Sequence, residues 1–379
     1  MGIADIISLL GGLAFFLFGM TLLGDGLKKV AGSKLETILG KLTSNPVKGV
    51  LLGALVTAVI QSSSATTVMV VGFVNSGIMQ LKSAVAIIMG ANIGTTATGW
   101  VLTLAGVEGE GGFSSATVFA FIAFVGIILY FFCRKQGHKN VGLILLAFSV
   151  LMSGMQGMSS AMSPLKKSEA FIQFISAASN PAVSLLIGLG VTAAIQSSSA
   201  SIGILQALSA TGAISYEVAV PMVVGISIGA CVPVLLSAVG ANTNGKRAAF
   251  IYPYFNILGA LLLIPFYLLN HVLNLEFLSL PATAFGIAVI NTAFNVAAAV
   301  VEFPMMDRLE KLLRATVKDT EKDTEDEELE ENLLDERFLD YPPLALEQSG
   351  HTVERMTAAA VKNLSRSIEL FTRFSQEKY

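Results

Sequence analysis

Charge is what this 379-residue chain has least of. Asp, Glu, Lys and Arg make up 13% of it, whereas a soluble domain carries about 25%. Apolar residues make up 53% and the mean hydropathy is +0.70, which excludes an ordinary soluble globule and implies a polytopic membrane protein. Histidine is nearly missing as well: His138, His271 and His351 fall at loop or tail positions. An intramembrane serine protease would need a histidine base inside a span, so that class is set aside, no catalytic residue is assigned and the chain is not read as an enzyme. Two cysteines occur, Cys133 and Cys231, both in apolar segments, where a small buried hydrophobe is expected rather than a disulfide or transition-metal ligand. No cofactor and no nucleic-acid partner is expected. The first apolar run, residues 6 to 24, has no basic residue before it and no small-x-small site after it, so it reads as a membrane helix and not as a signal peptide.

The charge that is present is unevenly placed. Asp319 to Asp340 holds twelve acids against Lys322 and Arg337, although the net charge of the whole chain is only -3. A solvated acidic linker therefore hangs from a basic-flanked membrane region. Between Lys48 and Lys82 there is no charged residue, and between Glu169 and Glu217 there is none either. Each gap contains the same pentapeptide, Gln-Ser-Ser-Ser-Ala, at Gln61 to Ala65 and at Gln196 to Ala200. Sliding the first copy onto the second brings Asn45-Pro46 onto Asn180-Pro181, Gly53 onto Gly188, Thr57 onto Thr192, Gly77 onto Gly212 and Gly90 onto Gly225. The chain is internally repeated.

A full span needs about 20 apolar residues. Seven segments qualify, at roughly 3 to 25, 83 to 105, 113 to 133, 140 to 158, 217 to 240, 248 to 270 and 281 to 303. Residues 47 to 61 are too short, at about 22 Å of helix, and 65 to 76 would add only about 18 Å. A helical hairpin that dips in and returns, broken at the serines, accommodates both lengths, and 182 to 196 with 200 to 211 repeats it. Lys28, Lys29, Lys34, Lys41, Lys48 and Lys82 flank the first hairpin, while Arg134, Lys135, Lys139, Lys246 and Arg247 lie in later loops. These loops are expected on the cytoplasmic side. Loops with Glu108 and Glu110, with Glu169 beside Lys166 and Lys167, and with Glu217 and Glu276 are expected outside. The expected fold is an all-α polytopic membrane protein in the plasma (inner) membrane, N-terminus outside and C-terminus cytoplasmic. It divides into repeat 1 at 1–135 with a hairpin at about 47–76, repeat 2 at 136–275 with a hairpin at about 182–211, a seventh span at 276–306, and a cytoplasmic tail at 307–379. Lys82 aligns with Glu217, as inverted repeats require, and inverted repeats with broken helices are a transporter architecture.

Backbone freed at a helix break must be buried in protein or line a wet cavity. The half-helices that begin after each triplet should offer free amides around Ser63 to Thr66 and Ser198 to Ser201, at a dipole end that favours anions. Hydroxyls and the Gln amides add donors for a tetrahedral oxyanion, and the carbonyls of Ala58 to Gln61 and Ala193 to Gln196 suit a hard cation such as Na+. With no Lys or Arg in either repeat core, a bound divalent anion would lack a side-chain counter-ion, which points to obligatory co-binding of Na+. Downstream, Gly90-Ala91-Asn92-Ile93-Gly94-Thr95-Thr96 aligns with Gly225-Ile226-Ser227-Ile228-Gly229-Ala230-Cys231. Asn92, Thr95 and Thr96 can present polar groups to the cavity, and helix packing explains the glycines about as well. Pro233 is expected to break the second copy. Asn256, Asn291 and Asn295 are expected to hydrogen-bond between helices.

Two Gln-Ser-Ser-Ser repeats, each followed by a segment of the Gly-x-Asn-Ile-Gly-Thr type, resemble the type II sodium-phosphate cotransporters and their bacterial relatives over roughly residues 5 to 303. The resemblance implies Na+-coupled phosphate transport, with Na+ as the coupling ion. It implies a phosphate site at Gln61, Ser62, Ser63, Ser64, Gln196, Ser197, Ser198 and Ser199, and a sodium site drawing on Gln61, Thr66, Thr67, Asn92, Thr95, Thr96, Gln196, Ser199, Ser201 and Ser227. Ser227-Ile228-Gly229-Ala230-Cys231 departs from the family's Asn-Ile-Gly-Thr-Thr, which implies two unequal halves. An exporter, a carrier of another small oxyanion or dicarboxylate, and a phosphate sensor without turnover are the alternatives. The tail, at Leu334-Asp335-Glu336-Arg337-Phe338-Leu339 and Ala345-Leu346-Glu347-Gln348, resembles the start of a PhoU-like region. Val353, Met356, Ala360, Leu364, Ile368 and Phe371 form a stripe at helical spacing, expected to dock on the chain itself, on a second protomer in a homo-oligomer, or on a cytoplasmic regulator.

Overall fold

The chain's computed structural model describes residues 3–31, 45–77, 79–104, 114–164, 168–318 and 342–372. Lys34, Lys41, Glu108, Glu110, Lys166, Lys167, the acidic stretch 319–340 and Leu334 to Leu339 lie outside them. The described residues are overwhelmingly helical, with one isolated bridge between Ser215 and Pro281. They begin with α1 (Ile3–Ala31). Two short helices come next, α2 (Pro46–Ile60) and α3 (Ser63–Asn75), then α4 (Leu81–Thr103), α5 (Ser115–Phe132) and α6 (Gln136–Met162). The second half runs α7 (Glu169–Ala178), α8 (Pro181–Ile195), α9 (Ser198–Ser209), α10 (Tyr216–Gly229), α11 (Cys231–Ser237), α12 (Thr243–Ala260), α13 (Leu263–Leu273), α14 (Ala284–Glu302), α15 (Met306–Thr316) and α16 (Pro342–Thr372).

Six helical stretches among the described residues are long and apolar enough to cross a membrane. The expected span at 113 to 133 is α5, apolar throughout but shorter than the six. Its 18 residues make about 27 Å of helix at 1.5 Å per residue. The four short helices at the serine triplets start and stop where the apolar runs and their flanking residues dictate. Asn45 accepts hydrogen bonds from the Val47 and Lys48 N–H at 2.9 and 3.3 Å, and Pro46 takes the first helical position. Asn180 and Pro181 repeat the device, with the Ala182 N–H donating at 2.9 Å. An Asn cap before a Pro supplies an acceptor for an orphan N–H where the missing proline N–H costs nothing.

Three breaks differ from the sequence expectation. Residues 169–178, expected as loop, form α7, which meets α8 at 107°; the residue before a proline is pushed to extended backbone, and Asn180 has φ -72 and ψ 121. The span at 217 to 240 does break, but at Ala230, three residues before Pro233, because proline supplies no N–H to the Gly229 carbonyl. The span at 248 to 270 parts at Leu261–Leu262, where Pro265 has no N–H for the Leu261 carbonyl and the Ile264 N–H takes it at 3.0 Å instead.

The glycine frame serves packing. A Cβ on Gly53 would run into the Ile87 carbonyl, one on Gly90 into that of Val50, and one on Gly94 into that of Ala54, so α2 and α4 cross in backbone contact. Gly188, Gly225 and Gly229 meet the carbonyls of Met222, Leu185 and Leu189 in the same way where α8 crosses α10. The long helices α1 and α6 lie side by side, with Gly12, Gly19 and Gly154 at their contact.

Side-chain contacts identify the two ends of the bundle. At one end Lys82 pairs with Asp307 at 2.7 Å, Arg247 donates to the Val317 carbonyl at 2.9 Å, and the Asn242 side chain donates to the Asn75 carbonyl at 2.7 Å. At the other, Tyr216 contacts Thr283 through its hydroxyl at 3.1 Å and donates its N–H to the Leu280 carbonyl at 3.1 Å. The 19 residues of α14, about 28 Å of helix, separate Thr283 from Asp307. Beyond α14 the chain does not pass directly into linker: α15 buries Met306, Leu309 and Leu313 in the main core. On α16 the residues Val353, Met356, Leu364 and Ile368 of the expected stripe stand exposed.

Candidate functional site

Each serine triplet folds into the same turn. Gln61 and Gln196 both adopt φ 60 and ψ 24, the left-handed region, and each donates its N–H to a threonine carbonyl, Thr57 or Thr192, at 2.7 Å. Left-handed backbone costs a residue other than glycine roughly 1–2 kcal/mol. Ser62 and Ser197 then turn extended and cap the next helix, accepting from the Ala65 and Ala200 N–H at 3.2 Å each. The expectation that all the leading amides are free needs correcting. Ala65 and Thr66 donate to Ser62, and Ala200 and Ser201 to Ser197. Among the described residues no protein acceptor meets the N–H groups of Ser63, Ser64, Ser198 and Ser199.

The two turns converge on one cavity of about 360 Å³, whose wall includes all eight residues from Gln61 to Ser64 and from Gln196 to Ser199. The positive ends of α3 and α9 open into it, each with the partial charge of a helix N-terminus. The remaining wall comes largely from α1, through Leu17, Met20, Thr21, Gly24, Asp25 and Lys28. This corrects the reading that no basic side chain is at hand: Lys28 lies outside both repeat cores in the sequence, yet α1 carries it, half-buried, into the wall beside exposed Asp25. The two side-chain charges cancel.

A hydrogen-bond relay joins the two turns. Thr98 Oγ1 donates to Gln61 Oε1 at 2.8 Å and accepts from Ser199 Oγ at 3.3 Å. The Gln61 amide also donates to the Ala58 carbonyl, so that oxygen is already occupied. Ser63 bonds the hydroxyl of buried Tyr252 at 2.9 Å. Sequence reasoning missed Thr98, Tyr252, Asp25 and Lys28. Thr98 is one turn beyond Thr95 and within reach of the same pattern, whereas Tyr252 lies 189 positions from its partner and carries no local signal.

The expected sodium residues divide. Gln61, Gln196 and Ser199 line the cavity; Thr66, Thr67, Asn92, Thr95, Thr96, Ser201 and Ser227 do not. Asn92 sits among buried helices, accepting from Asn256 at 3.3 Å and donating to the Ile88 carbonyl at 3.1 Å. Thr66 accepts from Thr57 at 3.0 Å and donates to the Ser62 carbonyl at 3.1 Å. Thr96, Ser201 and Ser227 each donate to a carbonyl of their own segment, on Ile93, Ser197 and Val223. The hydroxyls of Thr67 and Thr95 are buried and, among the described residues, without a partner. Asn256 bridges helices as expected, but Asn295 bonds Asn291 within α14 at 2.8 and 3.0 Å and not across to a neighbour. Cys231 is buried and receives the Asn256 amide at 3.8 Å; Cys133 is half-exposed.

Comparison with known proteins agrees with this duplicated arrangement. The profile of a family described as Na+/Pi-cotransporter matches residues 15–160 and again 150–306, one match over each serine turn. The chain is similar to the uncharacterized protein YqeW of Bacillus subtilis, 31% identical over 82% of this chain and 98% of that one. It is 27% identical to the "Putative inorganic phosphate export protein YjbB" of Escherichia coli over 93% of this chain, and spans 62% of that protein's length. Sodium-dependent phosphate transport protein 2B of Homo sapiens is 36% identical over 134 residues, 34% of this chain and 19% of that one. No solved structure matches. A profile that recurs once over each half, together with six membrane-length helices, makes this chain a multi-pass membrane protein of the Na+/Pi-cotransporter family.

Proposed function

We propose that the chain carries inorganic phosphate across the plasma membrane together with Na+, by alternating access of two inverted repeats to the cavity at the serine turns. The observation that carries this reading is the convergence of both turns on one cavity. Four unbonded amides, the hydroxyls and two helix dipoles form a donor-rich setting for a tetrahedral oxyanion. Phosphate is held by Gln61, Ser62, Ser63, Ser64, Gln196, Ser197, Ser198 and Ser199. Because Lys28 and Asp25 cancel, a divalent anion still arrives without net side-chain charge to balance it, and Na+ supplies the balance. Carbonyls around the turns and the unpartnered hydroxyls of Thr67 and Thr95 are the oxygens that suit it. The placement of Lys82 and Tyr216 at opposite ends of α14 supports inversion. The end with Lys82 and Arg247 faces the cytoplasm, as the positive-inside rule directs.

Radiolabelled phosphate uptake into proteoliposomes, with and without a sodium gradient, tests the proposal. Gradient-dependent uptake is expected; sodium-independent uptake would sink the coupling, and binding without flux would leave a sensor. Ser63→Ala and Ser198→Ala should each weaken apparent affinity for phosphate and sodium together, whereas a fall in protein abundance alone would make the serines packing residues. A second reading, export, is favoured by the name of YjbB, and counterflow from phosphate-loaded vesicles distinguishes it.

A further inference from the structure

A second cavity, of about 330 Å³, lies between α12, α14 and α15, away from the serine turns. Its wall is apolar apart from Glu302 and Arg308. Glu302 is 5% exposed, and neither carboxyl oxygen has a hydrogen-bond partner among the described residues. An ionised carboxylate in such a place is costly unless something positive meets it. A hard cation is a poor match, because cations of that kind take several oxygens and Glu302 is, among the described residues, the wall's one oxygen-bearing side chain. The cavity opens on the apolar outside of the bundle, where Leu261, Val301 and Leu312 of its wall are exposed. Arg308 is next in the chain to Asp307, whose pair with Lys82 marks the end of the bundle, so the mouth lies where lipid headgroups begin.

An occupant that satisfies these features has a primary ammonium for Glu302, a phosphate for Arg308 and an acyl chain for the apolar wall. We infer that the cavity seats phosphatidylethanolamine from the surrounding leaflet, its ammonium on Glu302 and its phosphate on Arg308. The ammonium brings N–H donors to the unpartnered carboxylate, which the methylated nitrogen of phosphatidylcholine lacks. This inference does not depend on what the serine turns transport.

The full chain, purified in detergent, is mixed with equal amounts of phosphatidylethanolamine, phosphatidylcholine and phosphatidylglycerol of one acyl composition, and native mass spectrometry reads the lipid retained. Retention of phosphatidylethanolamine is expected to exceed that of phosphatidylcholine by about fivefold or more, the scale of one charge-assisted hydrogen bond. Glu302→Gln should bring that ratio close to one. Equal retention by the unaltered chain, or an undiminished preference in Glu302→Gln, overturns the inference. Should Glu302→Gln fail to fold, Val301→Trp fills the cavity from its exposed rim; loss of the preference supports the site and its persistence refutes it.

Discussion

Thr98 is where the arrangement is most exposed to test. It is 3% exposed on α4 and links Gln61 of one turn to Ser199 of the other. Thr98→Val keeps the volume and removes both bonds. The bond to Gln61 at 2.8 Å is worth about 1 kcal/mol net, and water in the cavity can replace it in part. Ser199 is 5% exposed, so its stranded hydroxyl costs about 1–2 kcal/mol more. A loss of about 2 kcal/mol, were it felt wholly in the ion-bound state, would lower apparent affinity by more than tenfold. Part of it falls on folding, so roughly a tenfold rise in the phosphate KM is expected, with the sodium dependence shifted in the same direction. Uptake into proteoliposomes measures both, and thermal unfolding of the purified variant measures the remainder. Thr98→Ser restores the hydroxyl and should return the KM to within about twofold of the unaltered chain. If Thr98→Val transports with unchanged constants, or Thr98→Ser is as impaired as Thr98→Val, the relay does not hold the site together.

Lys28→Gln should raise the phosphate KM severalfold and flatten its dependence on ionic strength, because Lys28 is, among the described residues, the one basic side chain in the cavity wall; an unchanged salt profile would remove Lys28 from the path of the anion. Gly90→Ala and Gly225→Ala drive a methyl group into the Val50 and Leu185 carbonyls and should abolish monodisperse protein in size-exclusion chromatography, whereas Gly190→Ala, with nothing within 4 Å, should stabilise the helix by up to about 1 kcal/mol. Lys82→Cys and Glu217→Cys should react with an impermeant thiol reagent from opposite membrane faces; labelling from one face would end the inverted reading. Ser62→Ala and Ser197→Ala each remove a helix cap and should lower thermal stability by the equivalent of about 1 kcal/mol.

The paired short helices at the serine triplets were legible because three local signals coincide in each pair. An apolar run is too short to span, an Asn-Pro pair opens it, and a serine caps the second half-helix, so α2, α3, α8 and α9 fall within about two residues of their expected limits. The converging of the two turns was legible from their identity. The cavity's third side was not, since Asp25 and Lys28 enter it through the packing of α1, which no spacing within the repeats encodes. Asn92 misled for a related reason. Its segment carries glycines that bring α4 against α2, and the same crossing turns Asn92 toward Asn256 rather than toward the cavity. Pro233 warned of the break between α10 and α11, whereas the span that became α12 with α13 was read as unbroken; in both the fracture falls three or four residues before the proline, where the carbonyl that loses its partner lies.

The two turns match in backbone but not in their supports. Thr57 donates to Thr66, while its counterpart Thr192 is buried with a hydroxyl that meets no partner among the described residues; Thr98 bridges both turns, while the position aligned with it holds Pro233. Were the supports alike, a cycle in which the halves exchange roles would idle equally in either orientation. With bonds present on one side and missing on the other, the two halves are not interchangeable in energy, so the alternating cycle proposed above would start from an empty state with a preferred resting posture and would run its two half-cycles at unequal rates.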